Sequence, residues 1–256
     1  MSEHSNDGYV PQAASPSGHV LFSGGDAVSP STQTAAFMEQ WAGAEPYAIG
    51  VDGGAKLASS WGLTPKLVIG DFDSLSGDDL RGFEQAGAAI RRAPVDKDFT
   101  DLELALNQVV AGDRDGSSDR TFRTLIIGVD GGRADHFMAS LATICSPRYE
   151  ELEIAALGRQ GTYFVVRRPE IRVALVVGAT FSLLAFNGDA SDVHCSGAKW
   201  PLNGEVLRSG AGRGCSNVAI APTVLLSVGS GCVLMIVPSQ PDQQVATVGP
   251  RDVHRR

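Results

Sequence analysis

Two aspartates that follow a short apolar segment are the residues of this sequence best suited to chemistry. Asp71 and Asp73 follow three apolar residues, 67–69, which lie between Pro65 and Gly70 and predict a short buried strand. If the backbone stays extended past the strand, the period of two places both carboxylates on the same side. Carboxylates held close together repel each other, and Mg²⁺ relieves this repulsion because it prefers oxygen ligands. The alternative is an ordinary turn after a strand, where aspartate is common.

A second acidic segment, residues 94–103, precedes a predicted helix. Thr100 and Glu103 have the spacing of a capping box, so we expect the helix to start at Thr100. Asp101 falls in the first helical turn, where interaction with the helix dipole alone could account for a carboxylate. The other charged residues of the segment suit a metal and phosphate site, although a solvated loop would also contain them. These residues are Asp96, Lys97 and Asp98.

The tetrapeptide Val-Asp-Gly-Gly occurs twice, at residues 51–54 and 129–132, each time between a predicted strand and a predicted helix. Glycines at such positions let backbone N–H groups approach an anion at the helix N-terminus. Arg133 follows the second copy and offers a planar guanidinium group to phosphate oxygens. The alternative is two tight turns. Neither copy matches a Walker loop or a Gly-x-Gly-x-x-Gly fingerprint, so the nucleotide class stays open.

The composition is that of a soluble globular protein, with 43% hydrophobic and 20% charged residues. The formal net charge of -8 argues against a general nucleic-acid or anionic-membrane partner. The four cysteines form no Cys-x-x-Cys pair, so neither a zinc site nor a disulfide framework is indicated. No secretory signal precedes the first predicted strand and no apolar run approaches bilayer length. We therefore expect a cytoplasmic protein.

The order of predicted elements divides the chain into two domains. Strands alternate with helices as far as residue 146, which predicts a doubly wound, mainly parallel α/β sheet. After that, short apolar runs separated by turn residues predict an antiparallel all-β sandwich or barrel. The expected organisation is a disordered tail over residues 1–18, an α/β nucleotide- and metal-binding domain over 19–150, a β-domain over 151–238 and a second disordered tail over 239–256.

These motifs, with two later ones, resemble those of the thiamine pyrophosphokinase family. They occur in the family's order and cover about residues 19–238, so chance agreement is less probable than for any single motif. The matching segments are Asp52-Gly53-Gly54, Gly70-Asp71-Phe72-Asp73-Ser74, Lys97-Asp98-Phe99-Thr100-Asp101, Gly131-Gly132-Arg133-Ala134-Asp135-His136, Ala198-Lys199-Trp200-Pro201-Leu202 and Ser216-Asn217.

The resemblance implies an enzyme that transfers a pyrophosphoryl group from ATP to the hydroxyl group of thiamine and releases AMP. It also implies a homodimer in which the β-domain helps to hold thiamine at the subunit interface. Asp71, Asp73 and Asp101 would bind Mg²⁺ and orient the attacking hydroxyl. The other residues of these motifs that we expect to contact the nucleotide or support the metal are Asp52, Gly53, Gly54, Lys97, Asp98, Thr100, Gly132, Arg133 and Asp135.

The resemblance assigns thiamine contacts to Trp200, Ser216 and Asn217. An indole offers the thiamine cation both ring stacking and cation–π attraction. Without the resemblance, Trp200 would be read as a core residue of the β-domain and the Ser-Asn pair as a turn before a strand. The sequence departs from the family at Cys215, which precedes the pair, and at Ser140, where many relatives have asparagine.

Three other functions remain open at this point. A pyrophosphokinase acting on another small alcohol, such as a hydroxymethylpterin, could use a similar acidic core. A non-catalytic nucleotide or thiamine sensor would keep the binding surface, although the intact Asp71, Asp73 and Asp101 set weighs against it. A glycosyltransferase that uses Asp71 and Asp73 on a sugar nucleotide would not account for the later motifs.

Overall fold

Strands and helices alternate along the first part of the chain, as the sequence predicts. The computed structural model describes residues 18–26, 28–94, 98–113, 123–167, 170–239 and 247–248. The predicted site residue Lys97 and nearly all of the two predicted tails lie outside these ranges. The strands of this part are β1 (His19–Phe22), β2 (Tyr47–Val51), β3 (Leu67–Gly70), β4 (Ala89–Arg92), β5 (Arg123–Ile127) and β6 (Glu153–Leu157).

Helices follow the first five of these strands or connect them. They are α1 (Thr32–Ala42), α2 (Gly54–Ser60), α3 (Gly77–Gln85), α4 (Asp101–Asp113) and α5 (Ala134–Ile144), with a short 3-10 helix over Pro147–Tyr149. All six strands are parallel, in the order β6-β5-β1-β2-β3-β4. Helices α1 and α2 contribute Phe37 and Ala58 to one hydrophobic core, and α4 and α5 contribute Leu106 and Leu141 to another. Helices therefore cover both faces, which confirms the doubly wound sheet.

The capping box predicted for α4 is present. The Thr100 N–H donates to a carboxylate oxygen of Glu103 at 2.9 Å, and the Glu103 N–H donates to the Thr100 hydroxyl at 3.2 Å. The helix starts at Asp101, one residue after its cap. The side chain of Thr100 therefore has a structural partner within its own helix, and its predicted contact with a nucleotide stays a prediction.

The remaining strands are antiparallel and form a β-sandwich. They are β7 (Gly161–Val166), β8 (Ile171–Ala174), β9 (Thr180–Ala185), β10 (Ala190–Ser196), β11 (Leu202–Leu207), β12 (Asn217–Val218), β13 (Thr223–Ser230), β14 (Val233–Pro238) and β15 (Thr247–Val248). One layer continues the parallel sheet as β12-β9-β14-β7, and the other is the sheet β11-β10-β13-β8-β15. Phe181 of the first layer and Leu226 of the second share one buried core.

The ten-stranded sheet crosses the domain boundary predicted at residue 150. Strand β6 pairs in parallel with β5, and β7 then pairs antiparallel with β6. The α/β part and the β-sandwich are thus joined by continuous main-chain hydrogen bonding. Within the predicted C-terminal tail, Thr247–Val248 pairs with β8, so these two residues are ordered as a strand. No helix among the described residues is long and apolar enough to cross a membrane.

Candidate active site

The segment between Asp71 and Asp73 is a tight turn and not an extended strand end. Phe72 has a φ of 66°, in the left-handed region that bulky residues rarely adopt. The Asp73 N–H donates to a carboxylate oxygen of Asp71 at 3.2 Å, which closes an Asx turn. The condition of extended backbone is therefore not met, and the alternative of a turn after the strand is the one observed. The two carboxylates still lie close together. The turn brings them together, and not the two-residue period of an extended strand.

Three carboxylates converge where β2 and β3 end. Oxygens of Asp52, Asp71 and Asp73 all lie within 4.8 Å of one another, and we call these residues the acidic cluster. Strands β2 and β3 are parallel neighbours, so their carboxyl ends share an edge of the sheet. The sequence predicts Asp52 as a nucleotide contact and not as a metal ligand. Its position directly after β2, the strand adjacent to β3, could have indicated a place among the metal ligands.

The electrostatics of the acidic cluster favour a bound cation. Repulsion from Asp52, and then from Asp71, raises the pKa of Asp73 above its usual value, with a smaller contribution from Asp101. Oxygen Oδ1 of Asp52 is buried and has no hydrogen-bond partner among the described residues, while Oδ2 accepts from the Ser74 hydroxyl at 2.5 Å. An unsatisfied buried oxygen beside two further carboxylates suits a hard divalent cation such as Mg²⁺.

Asp101 and Asp98 lie outside the acidic cluster. Asp101, in the first turn of α4, is near enough to raise the pKa of Asp73 but does not belong to the three-residue group. Asp98 is exposed and also lies outside this group. Their predicted roles in binding or supporting a metal stay predictions.

A cavity of about 560 Å³ adjoins the acidic cluster. Its walls come from the turns after β1, β2 and β3 and from helix α2. They are Ser23, Gly24, Gly25, Asp52, Gly53, Gly54, Lys56, Leu57, Ser60 and Ser74. We call it the glycine-lined cavity.

Two glycines of this cavity have neighbours that leave little room for a Cβ atom. A Cβ atom on Gly54 would lie 1.9 Å from the main-chain oxygen of Phe22, and one on Gly53 would lie 2.6 Å from the Ser74 hydroxyl. Lys56 also lines the cavity and was not among the predicted site residues. Its ammonium nitrogen lies 2.9 Å from a carboxylate oxygen of Asp79. Its position in the first turn of α2, after Gly53 and Gly54, could have indicated a contact with a bound anion.

The second Val-Asp-Gly-Gly copy has a structural role. Asp130 is fully buried, and its carboxylate accepts hydrogen bonds from the Arg159 N–H at 2.7 Å, the Gln160 N–H at 2.8 Å and the Tyr163 hydroxyl at 3.1 Å. These bonds tie the turn after β5 to the turn between β6 and β7. Asp52 of the first copy belongs to the acidic cluster, so the same tetrapeptide serves two different purposes.

Arg133 is paired with Asp135 at the start of α5. The guanidinium group donates to both carboxylate oxygens, at 2.6 and 3.1 Å, and both side chains are exposed. The Arg133 contact lowers the pKa of Asp135 to about 2. Gly132 precedes the pair with a φ of 61°. Phosphate binding by Arg133 would require exchange of this carboxylate for a phosphate, and it stays a prediction for Gly132, Arg133 and Asp135.

A second cavity, of about 330 Å³, lies in the β-sandwich at the predicted thiamine contacts. Trp200 is 54% exposed, which excludes the alternative of a core residue. Its main-chain N–H and C=O bond to the side chain of the buried Asn217 at 3.1 and 2.8 Å. The Lys199 ammonium lies 4.7 Å from the centre of the indole ring. The residues lining this tryptophan cavity are Trp200, Arg213, Cys215, Ser216 and Asn217.

The two cavities lie far apart on one chain. Asn217 belongs to β12, at one edge of the ten-stranded sheet, whereas β2 and β3 lie seven and eight positions away. At about 4.8 Å for each strand spacing, this corresponds to a separation on the order of 30–40 Å. Most of the width of the sheet therefore separates the tryptophan cavity from the acidic cluster of the same chain.

The fold and the site define a class of protein: an α/β domain with a carboxylate cluster and a glycine-lined cavity, continued by a β-sandwich with an aromatic cavity. The family descriptions "Thiamin pyrophosphokinase, catalytic domain" and "Thiamin pyrophosphokinase, vitamin B1 binding domain" match residues 38–156 and 168–233. The chain belongs to the thiamin pyrophosphokinase family, and the resemblance noted in the sequence is confirmed.

Individual relatives agree with this assignment. A thiamine pyrophosphokinase of Bacillus subtilis is 28% identical over 189 residues, which cover 73% of this chain and 85% of the relative. The crystal structure of thiamine pyrophosphokinase from Bacillus subtilis superposes with a TM-score of 0.68 at 25% identity, covering 87% of this chain and 98% of that one. A family protein from Enterococcus faecalis, at 23% identity and a TM-score of 0.70, covers 88% of this chain and 100% of its own and shares the fold.

Proposed function

We propose that this protein transfers a pyrophosphoryl group from ATP to the hydroxyl group of thiamine, giving thiamine diphosphate and AMP. The observation that carries this proposal is the acidic cluster beside the glycine-lined cavity, in a chain of the thiamin pyrophosphokinase family. Phosphoryl-type transfer depends on positioning and on neutralising charge that moves toward the leaving group. Family membership favours thiamine over a pterin alcohol, and the converging carboxylates favour catalysis over sensing.

The acidic cluster is the proposed Mg²⁺ site. Asp52, Asp71 and Asp73 would hold the ion, and Asp101 would add negative charge from the first turn of α4. A bound Mg²⁺ would supply positive charge to the oxygens of the transferred group. The protein's part is to keep the carboxylates within 4.8 Å of one another before substrates arrive, so that little reorganisation is needed during transfer.

The glycine-lined cavity is the proposed ATP site. Backbone N–H groups of Gly53 and Gly54, at the start of α2, can approach phosphate oxygens because neither residue carries a Cβ. Lys56 lines the same cavity as Asp52 of the acidic cluster and offers an ammonium group to phosphate oxygens. Its present partner, Asp79, is partly exposed, so exchange of that carboxylate for a phosphate has a small cost.

The tryptophan cavity is the proposed thiamine site. The exposed indole of Trp200 can stack on a thiamine ring, and the cationic ring can replace the Lys199 ammonium over the indole face. Asn217 holds the main chain of Trp200 through two hydrogen bonds, which fixes the direction of the indole. Ser216 lies beside them in the same cavity.

A homodimer would unite the two halves of the site. On one chain the acidic cluster and the tryptophan cavity lie at distant positions of the same sheet. A two-fold axis that brings the β12 edge of one copy to the β2–β3 end of its partner would complete two equivalent sites. The proposed assembly is therefore a cytoplasmic homodimer with small-molecule substrates, whose acidic charge disfavours nucleic-acid and anionic-membrane partners.

Incubation with ATP, Mg²⁺ and thiamine tests the proposal, with AMP measured by chromatography and thiamine diphosphate identified by mass. We expect both products in equal amounts, and no turnover after addition of EDTA. Thiamine binding without ATP consumption would favour the sensor. Turnover with hydroxymethylpterin but not with thiamine would identify a different acceptor, and sugar transfer from a UDP-sugar would identify a glycosyltransferase.

A further inference from the structure

Arg92 contacts the turn that carries two of the three clustered carboxylates. It is the last residue of β4, the edge strand of the parallel sheet, and it pairs in register with Gly70 at the end of β3. Its Nη1 donates to the main-chain oxygen of Asp71 at 2.7 Å. The hydrogen bond joins a strand outside the acidic cluster to the peptide group between Asp71 and Phe72.

Arg92 also covers the side chain of Phe72. The guanidinium carbon lies 4.8 Å from the centre of the phenyl ring, a cation–π distance. The ring is 5% exposed and packs in a small hydrophobic cluster with Val68, Leu75 and Ala88. Phe72 keeps a φ of 66° only while surrounding contacts fix it, because this conformation is disfavoured for a bulky residue.

We infer that Arg92 is a positioning residue for the acidic cluster: its hydrogen bond to Asp71 and its stacking on Phe72 hold the turn in the geometry that brings Asp71 and Asp73 together. This inference rests on the proposed metal site. Groups that orient metal ligands in this way commonly change metal affinity by about 10- to 100-fold when they are removed.

The charge of Arg92 and its contacts with the turn should have opposite effects on metal affinity. A guanidinium group near the acidic cluster repels a divalent cation, so loss of its charge alone would tighten metal binding. Loss of the contacts that fix the turn would weaken metal binding. A role of the charge alone predicts a lower metal Kd for Arg92→Gln, and a positioning role predicts a higher one. The direction of the change in Kd decides between the two roles.

Arg91 provides a matched control. It precedes Arg92 on β4, and the alternation of side chains along a strand directs it to the other face of the sheet. Its Nη1 has no hydrogen-bond partner among the described residues. Arg91→Gln therefore removes the same charge one residue away without removing a bond to the turn.

The experiment is a titration of the full chain with Mn²⁺, followed by electron paramagnetic resonance, without nucleotide or thiamine. We expect Arg92→Gln to raise the Kd for Mn²⁺ by about tenfold or more, Arg92→Lys to raise it less, and Arg91→Gln to change it by less than about twofold. Melting temperatures identify variants that fail to fold. If Arg92→Gln does not fold, the expected increase in Kd is tested with Arg92→Lys.

Equal or tighter Mn²⁺ binding by the folded Arg92 variants would overturn the positioning role. If the wild-type protein itself binds no Mn²⁺, the proposed metal site is refuted, and the inference about Arg92 is refuted with it. Binding by the wild type combined with unchanged binding by Arg92→Gln would refute only the inference.

Discussion

At the scale of single residues, the site depends on carboxylates that lie close enough to repel one another. Asp73 has a raised pKa because Asp52 and Asp71 lie close to it, and Oδ1 of Asp52 has no partner in the described part of the chain. The sequence motifs identified Asp71 and Asp73 as candidate metal ligands. The sequence could not predict that Asp52 joins them, since that depends on which strands are neighbours, nor that Phe72 adopts a left-handed conformation, since tertiary packing fixes it.

Asp73→Asn should abolish most turnover and leave the fold intact. The substitution removes one of the repelling charges, so the melting temperature without metal should stay the same or rise slightly, whereas kcat should fall by about 100-fold or more. AMP release and thermal melting measure the two effects. Asp78→Asn, an exposed substitution in the first turn of α3, is the control. Near-normal turnover by a folded Asp73→Asn variant would refute the assignment.

Lys56→Met should raise the KM for ATP by about tenfold and leave the KM for thiamine nearly unchanged, because it removes a charged donor to phosphate. Lys66→Met is the matched control, since Lys66 precedes β3 at the opposite end of that strand from the acidic cluster. Steady-state kinetics with each substrate varied in turn give both constants. Parallel increases in both KM values would indicate general distortion of the site.

Trp200→Ala should have the complementary effect. Loss of the stacking surface should raise the KM for thiamine by about tenfold or more and change the KM for ATP little. The same kinetic series measures this variant. An equal effect on both substrates would assign a structural role to Trp200.

At the scale of elements, apolar runs predicted the buried strands well and the exposed ones poorly. Strands β1, β3 and β5 lie between helices, and almost all their residues are buried, so the sequence shows continuous apolar segments. Strand β10 alternates buried residues with exposed Asp192 and His194, and β11 has several exposed residues, which weakens the sequence signal. Side-chain pattern also could not reveal that the sheet continues from β5 through β6 into the sandwich.

Strand β1 carries a buried histidine that should make stability depend on pH. Burial lowers the pKa of His19 from 6.5 to about 4. Between these values the unfolded chain binds a proton that the folded chain does not bind. The contribution of His19 to the free energy of unfolding is therefore largest above about pH 6.5. It falls by about 3 kcal/mol as the pH decreases toward 4.

Urea unfolding of the wild type and of His19→Gln at several pH values tests this dependence. The difference between their free energies of unfolding should change by about 3 kcal/mol between pH 7 and pH 4, which separates His19 from the carboxylates common to both proteins. A difference that does not vary with pH would contradict the assignment.

At the scale of the whole molecule, the sequence predicted two domains and two sets of site residues but not their separation. That separation follows from strand order: the acidic cluster lies near one edge of the ten-stranded sheet and the tryptophan cavity at the other. Strand order depends on contacts between distant parts of the chain, which residue patterns do not specify. Under the proposed function, a complete site would require a second copy of the chain.

Complementation between two defective variants tests directly whether the site is built from two subunits. Asp73→Asn and Trp200→Ala each damage a different half of the site. After unfolding and refolding of an equal mixture, half of the dimers should contain one chain of each kind. Each such dimer has one intact site and one doubly damaged site, so thiamine diphosphate formation should recover to about a quarter of the wild-type rate.

The same variants refolded separately give the baseline, at a thiamine concentration well below the KM of Trp200→Ala. Recovery in the mixture above the average of the two baselines is the predicted result, and it should coincide with a dimeric mass in solution. Activity of the refolded mixture that equals the average of the separate variants would contradict a site built from two subunits.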